Sequence, residues 1–449
     1  MTDVLVVGAG PTGLLLAGDL AEAGLDVTVL ERRAGSQANT TRAFGVHART
    51  LEELDIRGLA DELIQTGQRV RELSLFDHIH LDLGALPSRF NYILITPQYE
   101  VEKLLAARAD RLGVKIEHGA EVVGLTQNAG GVTVTLADGG TRTAKYVVGA
   151  DGVRSKVRQL IGQPFPGKSV LKSIMLADVR VTSDPASAVT VNAVGEGFSF
   201  VAPFGDGWYR VFAWDRRKQV TDDTPLTLDE IKDVTRRALG TDFGMHSPRW
   251  MSRFHSDERQ VPQYRVGRVF LAGDAAHCHS PAGGQGMNTG LQDAANLGWK
   301  LAAVLRGRAT DALLDTYQTE RHPVGRMVLR SSGALIRGAM IKSKAGRFVR
   351  NALGGLLMKH VGARAAGLVS GIGIHYGPAV RVPDMDLVDG RLYEALRGGH
   401  FVLVANDQPA DVPDHVHVVK PVTPVAQPVL VRPDGYLGGR GEAGTFGDR

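Results

Sequence analysis

The chain has 449 residues, 43% of them hydrophobic and 22% charged, enough for two or three domains with a large core and ordinary for a soluble globular protein. No apolar run approaches the ~20 residues that cross a bilayer, and the N-terminus enters a strand with no basic-then-apolar leader, so the expectation is a cytoplasmic protein without a membrane span. The lone Cys278 excludes an internal disulfide.

The net charge of +4 hides an asymmetry: Arg321 to Pro383 holds eleven Lys and Arg and no acid, leaving −7 on the remainder. Such a stretch serves either an anionic partner (a cofactor phosphate, a membrane or a carrier protein) or, more simply, as a basic helical pair on an acidic body. Gly and Ala interrupt any clean amphipathic face, so the second is preferred. No nucleic-acid partner is expected, because stacking aromatics do not interleave the basic residues.

In chain order, Asp3 to Val7 reads as an apolar strand, then Gly8-Ala-Gly10-Pro11-Thr12-Gly13 opens a helix running to about Gly24. Glu31 ends the next strand, Val27 to Leu30. Strand, glycine spacing, helix and acid together form the dinucleotide fingerprint. Gly8 makes the tight turn, Gly10 admits a pyrophosphate, Gly13 allows close helix packing, and Glu31 can accept ribose hydroxyls. Residues 32 to 50 read as a polar loop, with His47 and Arg49 at a helix start.

Val70 to Leu83 alternates as antiparallel strands do, an excursion from the nucleotide domain, and Thr96 to Leu112 returns as a helix. Strands follow to Leu136, with a hairpin at Asn128 to Gly131. Tyr146 to Arg158 repeats strand, sharp turn and helix around Asp151-Gly152. A second β excursion covers 172 to 260, with one helix near Leu226 to Leu239. It concentrates Phe198, Phe200, Phe204, Trp208, Tyr209, Phe212 and Trp214. Ser252 to Gln260 reads as a polar lead-in, where His255 is an exposed residue sooner than a base.

Gly267 to Ala302 then gives a buried strand, the turn Gly273-Asp274, a loop with Pro281, Gly283, Gly284 and Gly286, and a helix from Asn288. A carboxylate, a glycine loop and a helix start form a cradle for an electron-rich ligand edge. His277, Cys278 and His279 lack further ligands at metal spacing. A helical region runs from Pro323 to about Ser370, and 378 to 449 reads as a separate small module.

Taken together, Gly8 to Gly13, Asp151-Gly152 and Gly273-Asp274 resemble the single-component FAD-dependent aromatic hydroxylases, over residues 2 to about 330 and in the expected order. The resemblance implies an α/β fold: a discontinuous Rossmann-like FAD-binding domain (1–70, 97–171, 261–377 with its long helices), an inserted β-sheet substrate domain (71–96, 172–260) and a small thioredoxin-like C-terminal module (378–449). That module has no cysteine, so it carries structure or a dimer contact and no redox role. The FAD residues implied are Gly8, Gly10, Pro11, Thr12, Gly13, Glu31, Arg32, Arg42, Gln98, Val122, Asp151, Asp274, Pro281, Gly284, Gly286, Met287 and Asn288. Phe200, Phe204, Trp208 and Phe212 are candidate substrate-lining residues.

The implied reaction takes NADPH or NADH and O2, forms a flavin C4a-hydroperoxide, and hydroxylates a polycyclic, polyketide-like or phenolic small molecule. The chemistry lies on the flavin, so no catalytic side chain is named. Alternatives on the same site are Baeyer–Villiger or antibiotic-inactivating oxygenation, and, in another class, a non-catalytic FAD-binding protein. A flavin halogenase is disfavoured because no Trp-x-Trp occurs. Monomer and homodimer both remain open.

Overall fold

The computed structural model describes residues 1–35, 43–75, 79–186, 189–339, 341, 343–409 and 412–440. The apolar run at the N-terminus forms strand Thr2–Val7, which lies parallel to Val27–Glu31 on one side and Thr141–Gly149 on the other. Parallel neighbours need crossovers, and helix Pro11–Glu22, with proline in its first turn, makes the first. Val269–Leu271 and Lys115–His118 extend the sheet, and the hairpin Val122–Asn128 with Gly131–Leu136 joins it through Thr141–Gly149.

Helix Gln285–Leu305 lies against Pro11–Glu22 at close range. A Cβ on Gly290 would sit 2.4 Å from Thr12 Oγ1, and one on Gly298 would sit 3.2 Å from Asp19 Cβ. Thr12 therefore packs into the helix crossing. Arg108, from helix Gln98–Arg111, binds Asp19 at 2.8 Å beneath the first helix.

The second sheet runs in the order His277–Cys278, His246–Gln260, Gly167–Arg180, Tyr209–Asp215, Gly197–Pro203, Thr190–Val194, Glu72–Leu75, Ile79–Asp82. The early excursion and the later one thus share one sheet. Helix Leu228–Leu239 covers one face, packing Ile231 and Val234 on Met175, Ala177, Val201 and Val211. The opposite face carries Leu176, Phe212, Trp214 and Phe254.

Strand His246–Gln260 is the main departure from the sequence reading, which took its second half as a lead-in. It pairs with Gly167–Arg180 along its length, while its other side, among the described residues, meets His277–Cys278 at the end. A strand near a sheet edge tolerates polar residues on both faces, so its pattern lacks the apolar alternation of a half-buried strand. The supposed polar loop 32–50 likewise contains strand Gly45–Val46 and helix Ala48–Asp55.

The C-terminal residues form a four-stranded sheet: Val416–Val419, Phe401–Val404, Val429–Val431, Leu437–Arg440. It is not separate. All eight residues of Ala48–Asp55 are buried, and Glu52 and Asp55 pair with Arg381 at 3.0 Å and Arg391 at 3.1 Å. Arg49, fully buried, binds Glu52 and Glu53 and donates to the Asp434 carbonyl. Arg432 and Lys300 meet on Glu320 at 2.9 and 2.8 Å. Burial pulls the Lys300 ammonium down to about 8. Charges placed so deep must be paired, and here their partners lie across the chain. No described helix is long and apolar enough to cross a membrane.

Candidate active site

The fingerprint glycines serve three different purposes. Gly8 has φ +108°, and a Cβ there would lie 2.5 Å from the Ala150 carbonyl oxygen. A Cβ on Gly13 would lie 2.0 Å from the Gly8 carbonyl oxygen. Gly10 is different: its backbone is extended at φ −84°, and nothing among the described residues stands within 4 Å of the Cβ position. The first two hold strand and helix together, whereas Gly10 leaves open space before the helix N-terminus at Pro11.

Glu31 is buried and accepts the Ala9 N–H at 2.8 Å and Arg33 Nε at 2.9 Å. Burial pushes its carboxyl up, but the Arg33 and Ala9 hydrogen bonds outweigh this and hold it below the usual range. Arg32 is exposed beside it, and Arg42 lies outside the described residues. Gln98 starts its helix, with its side-chain amide donated to Glu102 at 2.8 Å. Val122 is buried at the start of its strand. Asp151 caps a short helix, accepting Ser155 Oγ at 2.5 Å and the Lys156 and Val157 N–H groups at 2.7 and 3.1 Å. Burial nonetheless raises its carboxyl.

The second half of the site forms around helix Gln285–Leu305, which begins three residues earlier than its periodicity suggests. Gly284 is the N-cap at φ +63°, and no side chain caps the first turn. Its first-turn N–H groups, with their partial positive charge, are therefore left without a side-chain cap among the described residues. Asn288 is fully buried; it accepts the His47 N–H at 2.9 Å and donates to the Gly45 and Gly284 carbonyls at 2.9 and 2.8 Å. Its task is to pin strand Gly45–Val46 to the helix start. Pro281 is half-buried in the preceding loop. Asp274 is exposed, with one carboxylate oxygen 4.0 Å from the Cβ position of Gly286.

Three histidines line this loop. His277 Nε2 lies 2.6 Å from Asp293, whose carboxylate also accepts the Gly273 N–H at 3.1 Å and Arg321 Nε at 2.7 Å. His279 stacks on His277 with ring centroids 5.5 Å apart, and among the described residues neither of its ring nitrogens has a partner. Burial lowers His279 to about 3 and His47 to about 4. Among the described residues no group of His, Cys, Asp and Glu could hold a metal ion.

Both histidines are neutral in the fold and protonate near their ordinary 6.5 when unfolded. Unfolding below that pH takes up protons, so their stabilisation is complete above about 6.5 and falls as pH drops toward 4. His279→Phe, which keeps the ring stack, should reduce the slope of stability against pH between 6 and 4.5 by about 1.4 kcal/mol per pH unit. Urea unfolding at several pH values would test this; an unchanged slope would show that His279 protonates freely in the fold.

The candidate substrate-lining residues divide into two groups. Phe200 and Phe212 are 5.8 Å apart and meet Phe44 at 5.3 and 5.6 Å, and Phe254 joins at 6.3 Å from Phe212. Phe44 immediately precedes Gly45, so this aromatic face is tied to the helix start through Asn288. Buried Arg210, bidentate with Asp178, donates to the Ala43 carbonyl at 3.2 Å and fixes the same segment. Phe204 and Trp208 stand against Arg249, 5.3 and 4.5 Å from its guanidinium, and Phe204 is also 5.2 Å from that of Arg210. Phe44, Phe254 and Asp293 did not stand out in the sequence, and His47 was legible only as a helix start, which it is. Only the aromatic in the run Arg42 to Thr50 marks one of them.

Open space over Gly10, a buried carboxylate at Glu31, an uncapped helix start and the nearby Asp274 suit a dinucleotide bearing a flat, electron-rich head group. Comparison with known proteins defines the class: residues 1–332 match the FAD-binding domain family, to which the chain belongs. It is an FAD-dependent monooxygenase of the aromatic hydroxylase type, drawing on a reduced nicotinamide and O2. It is 40% identical over 465 residues to a rifampicin monooxygenase from Streptomyces venezuelae, covering 98% of this chain and 96% of the relative. Among solved structures it is similar to the anhydrotetracycline hydroxylase OxyS from Streptomyces rimosus, with a TM-score of 0.85, 36% identity, and 99% and 96% of the two chains covered. The Diels-Alderase PyrE3 of pyrroindomycin biosynthesis also has a TM-score of 0.85, at 33% identity over 98% and 96% of the chains.

Proposed function

We propose that the protein hydroxylates a large, electron-rich aromatic molecule of the polycyclic polyketide kind. The observation that carries this reading is the phenylalanine face of Phe44, Phe200, Phe212 and Phe254, joined through Gly45 and Asn288 to the helix start. The relatives named for rifampicin and anhydrotetracycline add support.

FAD, when bound, accepts electrons from the nicotinamide and delivers one oxygen atom of O2 to the substrate, the other leaving as water. The chain's own residues bind and orient. Gly10 and the Pro11 helix start would receive the pyrophosphate and Glu31 the adenosine ribose. Asp274 would hold the ribityl hydroxyls, and the N–H groups of the Gln285 turn would stabilise negative charge on the ring's polar edge. The phenylalanine face would exclude water and pack the substrate.

The decisive experiment is oxygen uptake by the FAD-loaded protein with NADPH and with NADH, across phenols, anthraquinone- and naphthoquinone-type polyketides and ansamycins, with mass analysis. A product one oxygen atom heavier is expected from a polycyclic compound, and a preference for simple phenols would overturn the substrate class. Conversion without NAD(P)H consumption would favour the second reading, a flavin-binding cyclase, which the likeness to PyrE3 motivates. Asp274→Ala should weaken FAD retention by about 10-fold, the worth of a charge-assisted hydrogen bond. A variant that purifies fully yellow and binds FAD normally would remove that assignment.

A further inference from the structure

The reaction consumes a reduced nicotinamide dinucleotide, which is an anion. The chain carries one dinucleotide fingerprint, Gly8 to Glu31, and FAD would occupy it. The second dinucleotide needs another place for its phosphates, close to the aromatic face and the helix start.

Strands Gly167–Arg180 and Tyr209–Asp215 are antiparallel, with Leu176 opposite Phe212 and Asp178 opposite Arg210. Side chains alternate along a strand, so Arg180 and Trp208 continue that row on the same face. The row runs outward: Phe212 and Arg210 are buried, Trp208 half-buried and Arg180 exposed. Trp208 is about 14 Å along the strand from Phe212. Its turn is fixed, since its carbonyl accepts the Phe204 N–H at 2.8 Å and its own N–H donates to Asp206 at 3.1 Å.

The Trp208 indole lies 5.0 Å from the Arg180 guanidinium and 4.5 Å from that of Arg249. Arg249 is exposed as well. Among the described residues neither guanidinium donates a hydrogen bond, and Arg180 has no carboxylate partner. The acids facing the pair are Asp178, 3.7 Å from Arg249 but held bidentately by Arg210, and the exposed Asp206 at 4.0 Å. Tyr99 faces the same charges, with Glu100 beside it. The group is tied to Phe44 from two sides. Arg210 lies 5.8 Å from the Phe44 ring and donates to the Ala43 carbonyl, which also accepts the Gln98 N–H at 3.1 Å.

We propose that Arg180 and Arg249, held on Trp208, receive the phosphates of the reduced nicotinamide dinucleotide. Two like charges on one indole repel each other unless an anion joins them. Free guanidinium forks match phosphate oxygens in geometry as well as charge. A dinucleotide extended along the row from this pair would bring its nicotinamide toward Phe44. The site rests on the use of a reduced nicotinamide and is independent of the aromatic substrate's class.

The test is anaerobic reduction of the FAD-loaded full chain by NADPH and by NADH, without aromatic substrate, followed by loss of the yellow absorbance. Arg180→Ala and Arg249→Ala should each raise the half-saturating dinucleotide concentration by about 10-fold, the worth of one charge-assisted hydrogen bond. The limiting rate, the FAD content and the melting temperature should not change. Calorimetric titration of the same proteins with NADP⁺ and NAD⁺ should show the same loss of affinity. Equal losses for both place the contact at the pyrophosphate, and a loss for NADP⁺ alone at the 2′-phosphate; both uphold the site. Should Arg249→Ala disturb Asp178, Arg180→Ala still decides, because its contact among the described residues is Trp208. Unchanged dinucleotide affinity in Arg180→Ala overturns the proposal. So does a variant in which only the aromatic substrate binds more weakly, since the pair would then hold an acidic group of that substrate.

Discussion

Gly10→Val is expected to yield a folded protein that no longer holds FAD, whereas Gly13→Ala, a smaller change, should damage the fold itself. Gly10 has extended backbone angles that any residue adopts and, among the described residues, no atom within 4 Å of its Cβ position, so valine costs at most about 1 kcal/mol as a poorer N-cap. The same side chain fills the space a pyrophosphate needs, and FAD affinity should drop by at least about 100-fold. At Gly13 a single methyl would stand 2.0 Å from the Gly8 carbonyl oxygen, and backbone cannot retreat as a flexible side chain can. Helix Pro11–Glu22 would have to leave the strand, at about 1–3 kcal/mol or more. Thermal melting of the flavin-free variants and FAD titration separate the two effects. Normal FAD binding by Gly10→Val would dismiss the phosphate role.

Arg321→Ala should destabilise the protein by about 3–5 kcal/mol, because it strands a buried carboxylate. Arg321 and Asp293 are both completely buried. The guanidinium donates to Asp293 at 2.7 Å, the Tyr376 hydroxyl at 2.9 Å and the Thr289 carbonyl at 3.1 Å. Burial pushes the Asp293 carboxyl up, and His277 and Arg321 more than reverse this. Lysine should not rescue the loss, since one ammonium cannot reproduce three divergent donors. Removing both charges with Arg321→Ala/Asp293→Leu should cost less than the sum of the single changes, as urea unfolding would show. Additive losses would mean that the two groups do not depend on each other. The pair also touches the site, because Asp293 accepts the N–H of Gly273, next to Asp274. Arg321→Ala should therefore loosen FAD as well.

The nucleotide half of the molecule was legible because its chemistry is local. Gly8 to Gly13 and Glu31 lie within one strand–helix–strand unit, where spacing alone sets the turn, the helix start and the position of the acid. The strand–turn–cradle around Gly273-Asp274 was legible for the same reason, although its helix begins at Gln285, where a left-handed glycine cap and not an apolar residue starts the turn. The aromatic excursion could be read as sheet, but not which of its rings face the flavin domain. Phe200 and Phe212 meet on one face through cross-strand pairing, while Phe204 and Trp208 pack against Arg249, and Phe204 also against Arg210, which lies over Phe44 as well.

The sequence by itself determined the class of the fold and, through the family its three motifs resemble, the class of chemistry. The motifs depend on backbone conformation and on residues a few positions apart. Tertiary structure alone decided that Asn288 pins Gly45, that Asp293 serves His277, Gly273 and Arg321, and that Phe44 closes the aromatic face. It also joined the last strands to helix Ala48–Asp55, through Arg381 with Glu52 and Arg49 with the Asp434 carbonyl. These partners are separated by tens to hundreds of residues. A buried charge must be neutralised, but nothing in its local pattern names the residue that does it.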